Sequence, residues 1–358
     1  MSSAPNLPNA AGRVLVAMSG GVDSSVVASL LKARGASCFG VFMRNGVAGK
    51  GAAVEKSCCS ASDSRDAARV AAKLDIPFYS VDYAAEFRRI IDYFVAEYEN
   101  GRTPNPCVLC NQDLKFGHLF SIADDVGAEG VATGHYARVE DGKLLRAVDR
   151  QKDQSYYLFG IDRNSLPRVR FPLGGMTKAE VREHARRAGL VTADKAESME
   201  ICFVTSGDYR DVVREYGGGG KPGVFVDTSG RTVGEHAGVD GYTVGQRRGL
   251  PALGSPRFVK SIDAKNGTIV LGERHEVVQE QAAVRSVDWL VDVGWSAGID
   301  CSIKVRARSD AVLGRVVPHP EREDVVAVEF EEPAFAITPG QAAVFYDGDV
   351  VLGGGFFD

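Results

Sequence analysis

The chain has 358 residues, of which 44% are hydrophobic and 25% are charged. This balance is typical of globular proteins and excludes a disordered, collagen-like or coiled-coil chain as the main class. At roughly 150 residues per domain, the length predicts two or three domains.

Charge is distributed unevenly along the chain. The 42 basic and 47 acidic residues give a net charge of −5, which excludes a globally basic nucleic-acid binder. Residues 206–358 hold 16 basic and 23 acidic side chains (−7), whereas residues 1–205 hold 26 and 24 (+2). We therefore expect a polyanionic partner to bind the first half or a local basic patch.

Cysteine content and hydropathy indicate the compartment. Seven cysteines in 358 residues are too few for a secreted disulfide scaffold and favour a reducing, cytoplasmic location. No apolar run approaches the length of a membrane-spanning helix. Residues 1–12 lack the charged and apolar regions of a signal peptide, and we expect them to form a flexible tail.

Strands and helices are predicted to alternate in the first half of the chain. Short apolar runs predict buried strands at Val14–Met18, Ala36–Met43, Phe78–Val81 and Gly130–Thr133. Helical patterns occur at Ser24–Arg34, Asp63–Leu74, Phe87–Tyr98 and Leu114–Ala123. This alternation predicts an α/β fold with a parallel sheet covered by helices on both faces. A long loop rich in glycine and alanine interrupts the pattern at residues 46–62.

The second half of the chain is predicted to be rich in β-structure. Four consecutive glycines, Gly217–Gly220, indicate a flexible joint. Short β-rich runs follow at Thr268–Leu271, Cys301–Arg308, Val325–Phe330 and Ala342–Tyr346. They predict a small mixed or β-rich domain and then a β-barrel or sandwich. We expect the domains to span residues 13–210, 211–275 and 276–358.

The strongest local motif is SGGVDSS, from Ser19 to Ser25. It follows a predicted strand and opens a predicted helix, so backbone N–H groups, hydroxyls and the helix N-terminus can all face an anion. It lacks the lysine of a Walker A loop. The motif resembles the pyrophosphate loop of the ATP-pyrophosphatase superfamily, with its adenine nucleotide α-hydrolase-like fold. The alternative is an ordinary Ser/Gly turn before a helix.

A second motif contains Cys107-x-x-Cys110 and is preceded by two prolines. A helix is expected to start near Cys110, where the helix dipole and Lys115 would lower the pKa of the thiol and favour the thiolate. The pair could instead be half of a zinc site, but the sequence has no second CxxC or HxxxH to complete it.

Three further segments have two readings each. Cys202 lies between apolar neighbours, which by itself is typical of a buried small hydrophobe. His135 follows a predicted strand, where ligands bind in open α/β sheets, or it faces solvent in a turn. The stretch Arg163–Arg187 holds seven basic residues and is either a solvated helix face or a phosphate-binding patch.

The ordered set of motifs resembles the tRNA-specific 2-thiouridylase family. The set runs from about Val14 to the end and comprises SGGVDSS, FMRN, GRTPNPCVLCN, ATGHYAR, KDQSYYL, EICF, GYTVGQRRGL and TPGQAAVFYDGDVVLGGG. The resemblance implies ATP- and Mg²⁺-dependent 2-thiolation of the wobble uridine of tRNA. It implies adenylation of the uridine C2 oxygen and sulfur transfer from a cysteine persulfide. It also implies a sulfur-relay protein or cysteine desulfurase as donor, and no membrane association.

The resemblance also implies roles for individual residues. Cys110 would be the nucleophile and Cys202 the persulfide carrier. The residues expected around ATP are Ala17, Met18, Ser19, Gly20, Gly21, Val22, Asp23, Ser24, Met43 and Gly134. Those expected against the target uridine are Asn105, Pro106 and Cys107. Those expected to contact tRNA are His135, Lys152, Asp153, Gln154, Arg306 and Gln341. Asp23 is the candidate Mg²⁺ ligand beside the pyrophosphate.

A second tRNA-binding surface is expected in the C-terminal domain. Strict alternation would place Lys304, Arg306 and Arg308 on one face of a strand. Without the family resemblance, the same pattern is that of a solvated barrel face.

The sequence leaves two alternatives to this scheme open. Many family members carry Asp where this chain has Cys107. Cys107, Cys110 and Cys202 could therefore present three thiolates to one point and hold a [4Fe–4S] cluster with one open iron. Of the two schemes, we favour the persulfide scheme. A metabolic ATP-pyrophosphatase ligase would share SGGVDSS, but it would need neither the distant cysteines nor a C-terminal barrel. Cys58 and Cys59 are expected to be surface thiols in the long loop.

Overall fold

The computed structural model describes residues 12–46, 61–197, 201–204, 207–294 and 298–358. The chain divides into two compact units. The first consists of the residues up to Arg89, residues 107–207 and residues 349–351, and the second of residues 90–106, 208–348 and 352–358. None of the helices in the described part of the chain is long and apolar enough to cross a membrane. Cys58 and Cys59 lie outside the described residues.

A five-stranded parallel sheet forms the centre of the first unit. Its strands are β1 (Arg13–Ala17), β2 (Ser37–Arg44), β3 (Phe78–Asp82), β4 (Gly130–Ala132) and β7 (Val169–Arg170). They lie in the order β3-β2-β1-β4-β7, and all pairs are parallel. The parallel sheet predicted from the sequence is confirmed. The short β7 escaped prediction because two residues carry no periodic pattern.

Helices cover this sheet and form its hydrophobic core. Within the described residues of both units, the α-helices are α1 (Val22–Ala33), α2 (Ala61–Lys73), α3 (Ala84–Glu99), α4 (Pro106–Leu109), α5 (Leu119–Asp125), α6 (Lys178–Arg187) and, in the second unit, α7 (Tyr209–Glu215). Short 3₁₀ turns occur at Ser155–Tyr157, Arg163–Arg168, Val239–Gly241 and Arg274–Val277. Val16 of β1 packs in one core with Val26 of α1, Val70 of α2 and Val181 of α6. This core fixes the start of α1 relative to the carboxyl end of β1.

The helix that carries the CxxC motif begins earlier than predicted. It starts at Pro106, and a π-helical segment at Cys110–His118 connects α4 to α5. A proline suits the first helical position because its φ is already helical and its missing N–H would have no partner there. Cys107 therefore lies in the first turn, whereas Cys110 lies one turn further on, which corrects the expected start near Cys110. A π-helical segment within a helix is uncommon and is frequent at functional sites.

An antiparallel hairpin follows β4 in the first unit. Its strands are β5 (Ala137–Glu140) and β6 (Lys143–Arg146). The turn residues Asp141 and Gly142 both have positive φ, 49° and 73°, as a two-residue type I′ turn requires.

The second unit begins with a four-stranded sheet. Its strands are β8 (Gly223–Asp227), β9 (Thr232–His236), β10 (Phe258–Asp263) and β11 (Thr268–Gly272), in the order β10-β11-β8-β9. Phe225, Val259 and Ile269 form its core and are at most 2% exposed. The predicted small β-rich domain is confirmed.

A closed six-stranded antiparallel barrel completes the second unit. Its strands are β12 (Val278–Trp289), β13 (Ile299–Lys304), β14 (Val312–Pro318), β15 (Val325–Phe335), β16 (Ala342–Asp347) and β17 (Val350–Phe357). The order β12-β15-β14-β13-β16-β17 is closed by pairing of β17 with β12. The predicted β-barrel is confirmed.

One strand of the barrel is shorter than predicted. β13 ends at Lys304, not at Arg308. The chain turns beyond Lys304, and one terminal nitrogen of the Arg306 guanidinium lies 2.9 Å from the carbonyl oxygens of Val244 and Ala336 and from Thr338 Oγ1. Lys304, Arg306 and Arg308 therefore do not share a strand face, and the predicted basic face is wrong.

Candidate active site

The loop between β1 and α1 has the conformation of an anion-binding loop. Gly20 has a φ of +73°, and a Cβ there would lie 2.2 Å from the carbonyl oxygen of Asp63, so only glycine fits. Gly21 caps α1 without a side-chain hydrogen bond. Ser24 Oγ accepts from the Ser19 backbone N–H at 3.1 Å and fixes the loop. The first-turn amides of α1 therefore lack a side-chain cap, as anion binding requires.

The residues expected around ATP lie at one edge of the sheet. A Cβ on Gly134, just after β4, would lie 3.0 Å from the Ser24 backbone nitrogen and 3.1 Å from Asp23 Cβ. Met43 is half-buried near the end of β2, the other neighbour of β1. The loop follows β1, Gly134 follows β4, and Met43 lies near the end of β2. These three strands are adjacent in the sheet, so the residues lie at its carboxyl edge, where ligands bind in open α/β sheets.

Asp23 in the first turn of α1 has two partners that the sequence did not indicate. Its Oδ1 accepts from the Tyr136 hydroxyl at 2.8 Å, and Lys178 Nζ lies 2.7 and 2.8 Å from its two oxygens. Burial, reinforced by the charge of Asp23, raises the pKa of Tyr136 far above its usual value, so the phenol remains a donor. The Lys178 side chain is only 12% exposed. The carboxylate of Asp23 is therefore held in a fixed orientation.

Lys195 supports the loop from its other side. Its Nζ donates to the carbonyl of Gly20 at 3.0 Å and to the carboxylates of Asp63 and Asp66, each at 2.6 Å. Burial alone would lower the pKa of Lys195, but hydrogen bonds to the two carboxylates raise it. This charged lysine ties the loop to the start of α2.

Glu197 is surrounded by three basic side chains. Its carboxylate lies 2.7 Å from Lys152 Nζ, 3.2 Å from Lys178 Nζ and 3.3 Å from Arg182. Burial alone would raise the pKa of Glu197, but hydrogen bonds and charge from Lys152 and Lys178 lower it to about 2. We call these four residues the Glu197 cluster.

His135, expected at a tRNA surface or in solvent, is buried at 8% exposure. Its Nδ1 lies 2.7 Å from Thr133 Oγ1, and its Nε2 lies 3.3 Å from Lys115 Nζ. Burial, and next the charge of Lys115, lowers the pKa of His135 well below its usual value. The neutral ring therefore accepts from Lys115 at Nε2 and donates to Thr133 at Nδ1.

Other residues expected to contact tRNA also have partners within the protein. Asp153 Oδ1 accepts from the backbone N–H groups of Ala147 and Ser155, each at 3.1 Å, and so shapes its own loop. Gln154 Oε1 accepts from the Tyr136 N–H at 3.0 Å. In the second unit, Gln341 Nε2 donates to the carbonyl of Pro104 at 3.5 Å.

The basic stretch Arg163–Arg187 is largely committed to internal contacts. Such contacts include those of Arg168, Arg170, Lys178, Arg182, Arg186 and Arg187. Their partners are carboxylates or backbone carbonyls within the first unit. Arg186 and Arg187 are nevertheless 54% and 70% exposed, so both readings of the stretch, a solvated helix face and a phosphate-binding patch, stay predictions.

The five cysteines in the described part of the chain separate into two environments. Cys107, Cys110 and Cys202 are half-buried, whereas Cys38 and Cys301 are buried. Burial raises the pKa of Cys38, and burial with nearby Asp300 raises that of Cys301 to about 12. Cys202 is thus only half-buried, whereas its apolar neighbours suggest a fully buried side chain. The adjacent Phe203 is buried and packs against Phe87, with ring centroids 5.8 Å apart.

The described residues contain no group of three or more His, Cys, Asp or Glu side chains arranged to hold a metal ion. Cys107, Cys110 and Cys202 all lie among these described residues, and the choice between the persulfide scheme and a [4Fe–4S] cluster stays a prediction. A Mg²⁺ ion bound to a nucleotide needs only one or two carboxylates besides the phosphates. The single carboxylate of Asp23, 31% exposed, fits that requirement.

Three families of known domains match the chain in sequence. The family described as the tRNA methyl transferase HUP domain matches residues 12–206. The tRNA methyl transferase PRC-barrel domain matches residues 210–273, and the aminomethyltransferase β-barrel domain matches residues 279–357.

Curated relatives match over almost the whole chain. The tRNA-specific 2-thiouridylase MnmA of Zymomonas mobilis is 46% identical over 98% of this chain and 94% of that protein. The protein of the same name from a Roseiflexus species is 43% identical over 96% of this chain and 98% of that protein. The one from Geobacter metallireducens is 46% identical over 97% of this chain and 96% of that protein. The chain therefore belongs to the tRNA-specific 2-thiouridylase family.

Proposed function

We propose that this protein is a sulfurtransferase that converts the wobble uridine of tRNA to 2-thiouridine, with consumption of ATP. The observation that carries the proposal is the anion loop at Ser19–Ser24, with its glycine-only position and uncapped amides, on a chain that also holds Cys107, Cys110 and Cys202 half-buried. The relatives named above are tRNA-specific 2-thiouridylases, which favours tRNA as the substrate.

Adenylation makes the uridine reactive. The C2 carbonyl is a poor electrophile and its oxygen a poor leaving group. Attack of that oxygen on the α-phosphate of ATP forms a C2–O–AMP bond and releases pyrophosphate. The amides of the loop and the start of α1 stabilise the phosphate charge. Mg²⁺, held by Asp23 and the phosphates, would neutralise further charge on the pyrophosphate.

Sulfur transfer then uses two cysteines. Cys202 accepts a terminal sulfur from a sulfur-relay protein or cysteine desulfurase and becomes a persulfide. The terminal sulfur attacks C2 and AMP departs with the former C2 oxygen. Attack of the Cys110 thiolate on the Cys202 sulfur releases 2-thiouridine and leaves a Cys110–Cys202 disulfide, which a cellular thiol reduces. In a variant of this step, Cys110 first liberates sulfide from the persulfide.

The remaining polar residues act by positioning. The neutral His135 holds Lys115, which lies five residues after Cys110 in the π-helical segment. A lysine on the same helix as the nucleophile favours its thiolate. Asn105 and Pro106, both buried, directly precede Cys107 and are proposed to face the target uridine. Because Arg306 and Asp153 are engaged within the protein, we assign them to maintaining the tRNA-binding surface.

A metabolic ATP-pyrophosphatase ligase is the competing function. It would use the same loop without tRNA. Exchange of labelled pyrophosphate into ATP distinguishes the two, because a thiouridylase needs the tRNA acceptor to form the adenylate. Exchange that is independent of tRNA would favour a ligase.

Serine variants of the three cysteines test the proposed sulfur transfer. Cys110→Ser and Cys202→Ser are each expected to abolish 2-thiouridine in tRNA incubated with ATP and a persulfide donor, as measured by nucleoside mass spectrometry. Cys107→Ser is the matched control and is expected to retain most activity. An inactive Cys107→Ser variant of a brown, iron-containing protein purified without oxygen would contradict the persulfide scheme.

A further inference from the structure

The Glu197 cluster has the composition of an anion site that is filled by a side chain of the protein itself. Lys152, Lys178 and Arg182 surround one carboxylate at 2.7 to 3.3 Å. Their side chains are 34%, 12% and 25% exposed, so they are partly withdrawn from water. Ammonium and guanidinium groups in this arrangement bind phosphate oxygens as readily as carboxylate oxygens.

The cluster lies directly beside the anion loop. Lys178 Nζ bridges Glu197 at 3.2 Å and Asp23, in the first turn of α1, at 2.7 Å. Two residues before Glu197, Lys195 donates to the carbonyl of Gly20 in the loop itself. Arg182 also donates to the carbonyls of Ala193 and Lys195, at 3.1 and 3.3 Å, and so fixes the segment that leads to Glu197.

The charges of this arrangement favour a more highly charged anion than Glu197. The three cations make their ion pairs with only two carboxylates, Glu197 and Asp23. The pyrophosphate end of ATP carries more negative charge than one carboxylate and can contact several cations together. It is therefore a better partner for the three basic groups than Glu197 is.

We propose that Lys152, Lys178 and Arg182 form a subsite for the pyrophosphate end of ATP, and that Glu197 is an internal competitor that occupies this subsite when no nucleotide is bound. This inference rests on the proposed function, because it requires ATP in the Ser19–Ser24 loop. Polyphosphate binding displaces Glu197 from Lys178. The return of Glu197 after adenylation lowers the affinity for released pyrophosphate and favours its departure. The family resemblance implies that Lys152 contacts tRNA, and in this inference Lys152 also contacts ATP.

Calorimetric titration with inorganic pyrophosphate tests this competition. Removal of the competing charge in Glu197→Gln is expected to tighten pyrophosphate binding about tenfold, because more of the protein is then competent to bind. Lys178→Met is expected to weaken it by a similar factor. Asp194→Asn is the matched control: it removes one negative charge from the same segment, but its side chain is 82% exposed and pairs with Arg186 outside the cluster. Its pyrophosphate affinity should equal that of the wild type.

Two further titrations separate the possible failures. With tRNA as the ligand, Glu197→Gln, Lys178→Met and Asp194→Asn are each expected to bind like the wild type. If Lys178→Met loses tRNA affinity but keeps its pyrophosphate affinity, the cluster binds nucleic acid and the inference is wrong. A wild-type protein that does not bind ATP would contradict the proposed function itself. If ATP binds but Glu197→Gln and wild type bind pyrophosphate equally, this inference alone is wrong. Should Glu197→Gln unfold, Lys152→Met replaces it, and unchanged pyrophosphate affinity in Lys152→Met and Lys178→Met overturns the inference.

Discussion

Asp23 is an acidic residue in a place where an anion is expected to bind. A carboxylate in the first turn of α1 would repel a phosphate unless a cation lay between them. Lys178 provides such a cation in the nucleotide-free protein at 2.7 Å, and Mg²⁺ would provide another with ATP bound. Asp23 is therefore expected to act on the nucleotide and not on tRNA.

Replacement of Asp23 by alanine separates these two roles. We expect Asp23→Ala to abolish adenylation, measured as tRNA-dependent exchange of pyrophosphate into ATP, while the dissociation constant for tRNA stays nearly unchanged. Asp23→Asn, which keeps the shape and the acceptor for Tyr136, should fold normally and show the same loss. A parallel loss of adenylation and tRNA binding would instead indicate a structural role.

The described cysteines are expected to differ in their reaction with iodoacetamide. Burial raises the pKa of Cys38 and, with Asp300, raises that of Cys301 to about 12. Since the thiolate is the reactive form, neither should be alkylated in folded protein between pH 7 and about pH 9. Peptide mass spectrometry should find label on the half-buried Cys107, Cys110 and Cys202 first. Labelling of Cys301 at the rate of Cys110 would contradict the assigned environments.

At the scale of single elements, the loop between β1 and α1 carries most of the site. Its shape depends on Gly20, where φ is positive and a Cβ would collide with the backbone of Asp63. At neighbouring Gly21, a Cβ would meet only Ser19 Oγ at 3.4 Å, and its φ of −90° is open to any residue.

Alanine substitutions at these two glycines are expected to differ. Gly20→Ala forces a strained φ that costs about 1–3 kcal/mol, together with a backbone clash, so we expect a lower melting temperature and loss of ATP binding. Gly21→Ala is the control and should melt like the wild type. Calorimetry and ATP titration measure both quantities. Equal melting temperatures for the two variants would mean that the loop does not need its left-handed residue.

How much of each element the sequence predicts depends on the range of the interactions involved. The β1–loop–α1 unit was predictable because its apolar strand, its glycines and its helical pattern are local signals. The end of β13 at Lys304 was not, because the contacts beyond it are long-range: Arg306 binds the carbonyl of Val244, 62 residues away. The early helix start at Pro106 was missed because a proline also suits the extended segment that precedes it.

At the scale of the whole molecule, the domain classes follow from the sequence but the charge pairing does not. Lys178 is 155 residues from Asp23, and Lys195 is 132 residues from Asp63, so no local pattern links them. The basic residues predicted to bind tRNA phosphates were recognised as charged, but their carboxylate and carbonyl partners depend on the fold. The boundaries at residues 13–210, 211–275 and 276–358 stay a prediction.

The central claim is that the uridine C2 oxygen is activated by ATP before sulfur replaces it. The most direct test uses tRNA that carries ¹⁸O at C2 of the wobble uridine, incubated with ATP, Mg²⁺ and a persulfide donor. We predict that the ¹⁸O appears in AMP, with one AMP formed for each 2-thiouridine, as measured by mass spectrometry of both products. Release of the ¹⁸O as water, or formation of 2-thiouridine without ATP, would contradict the claim.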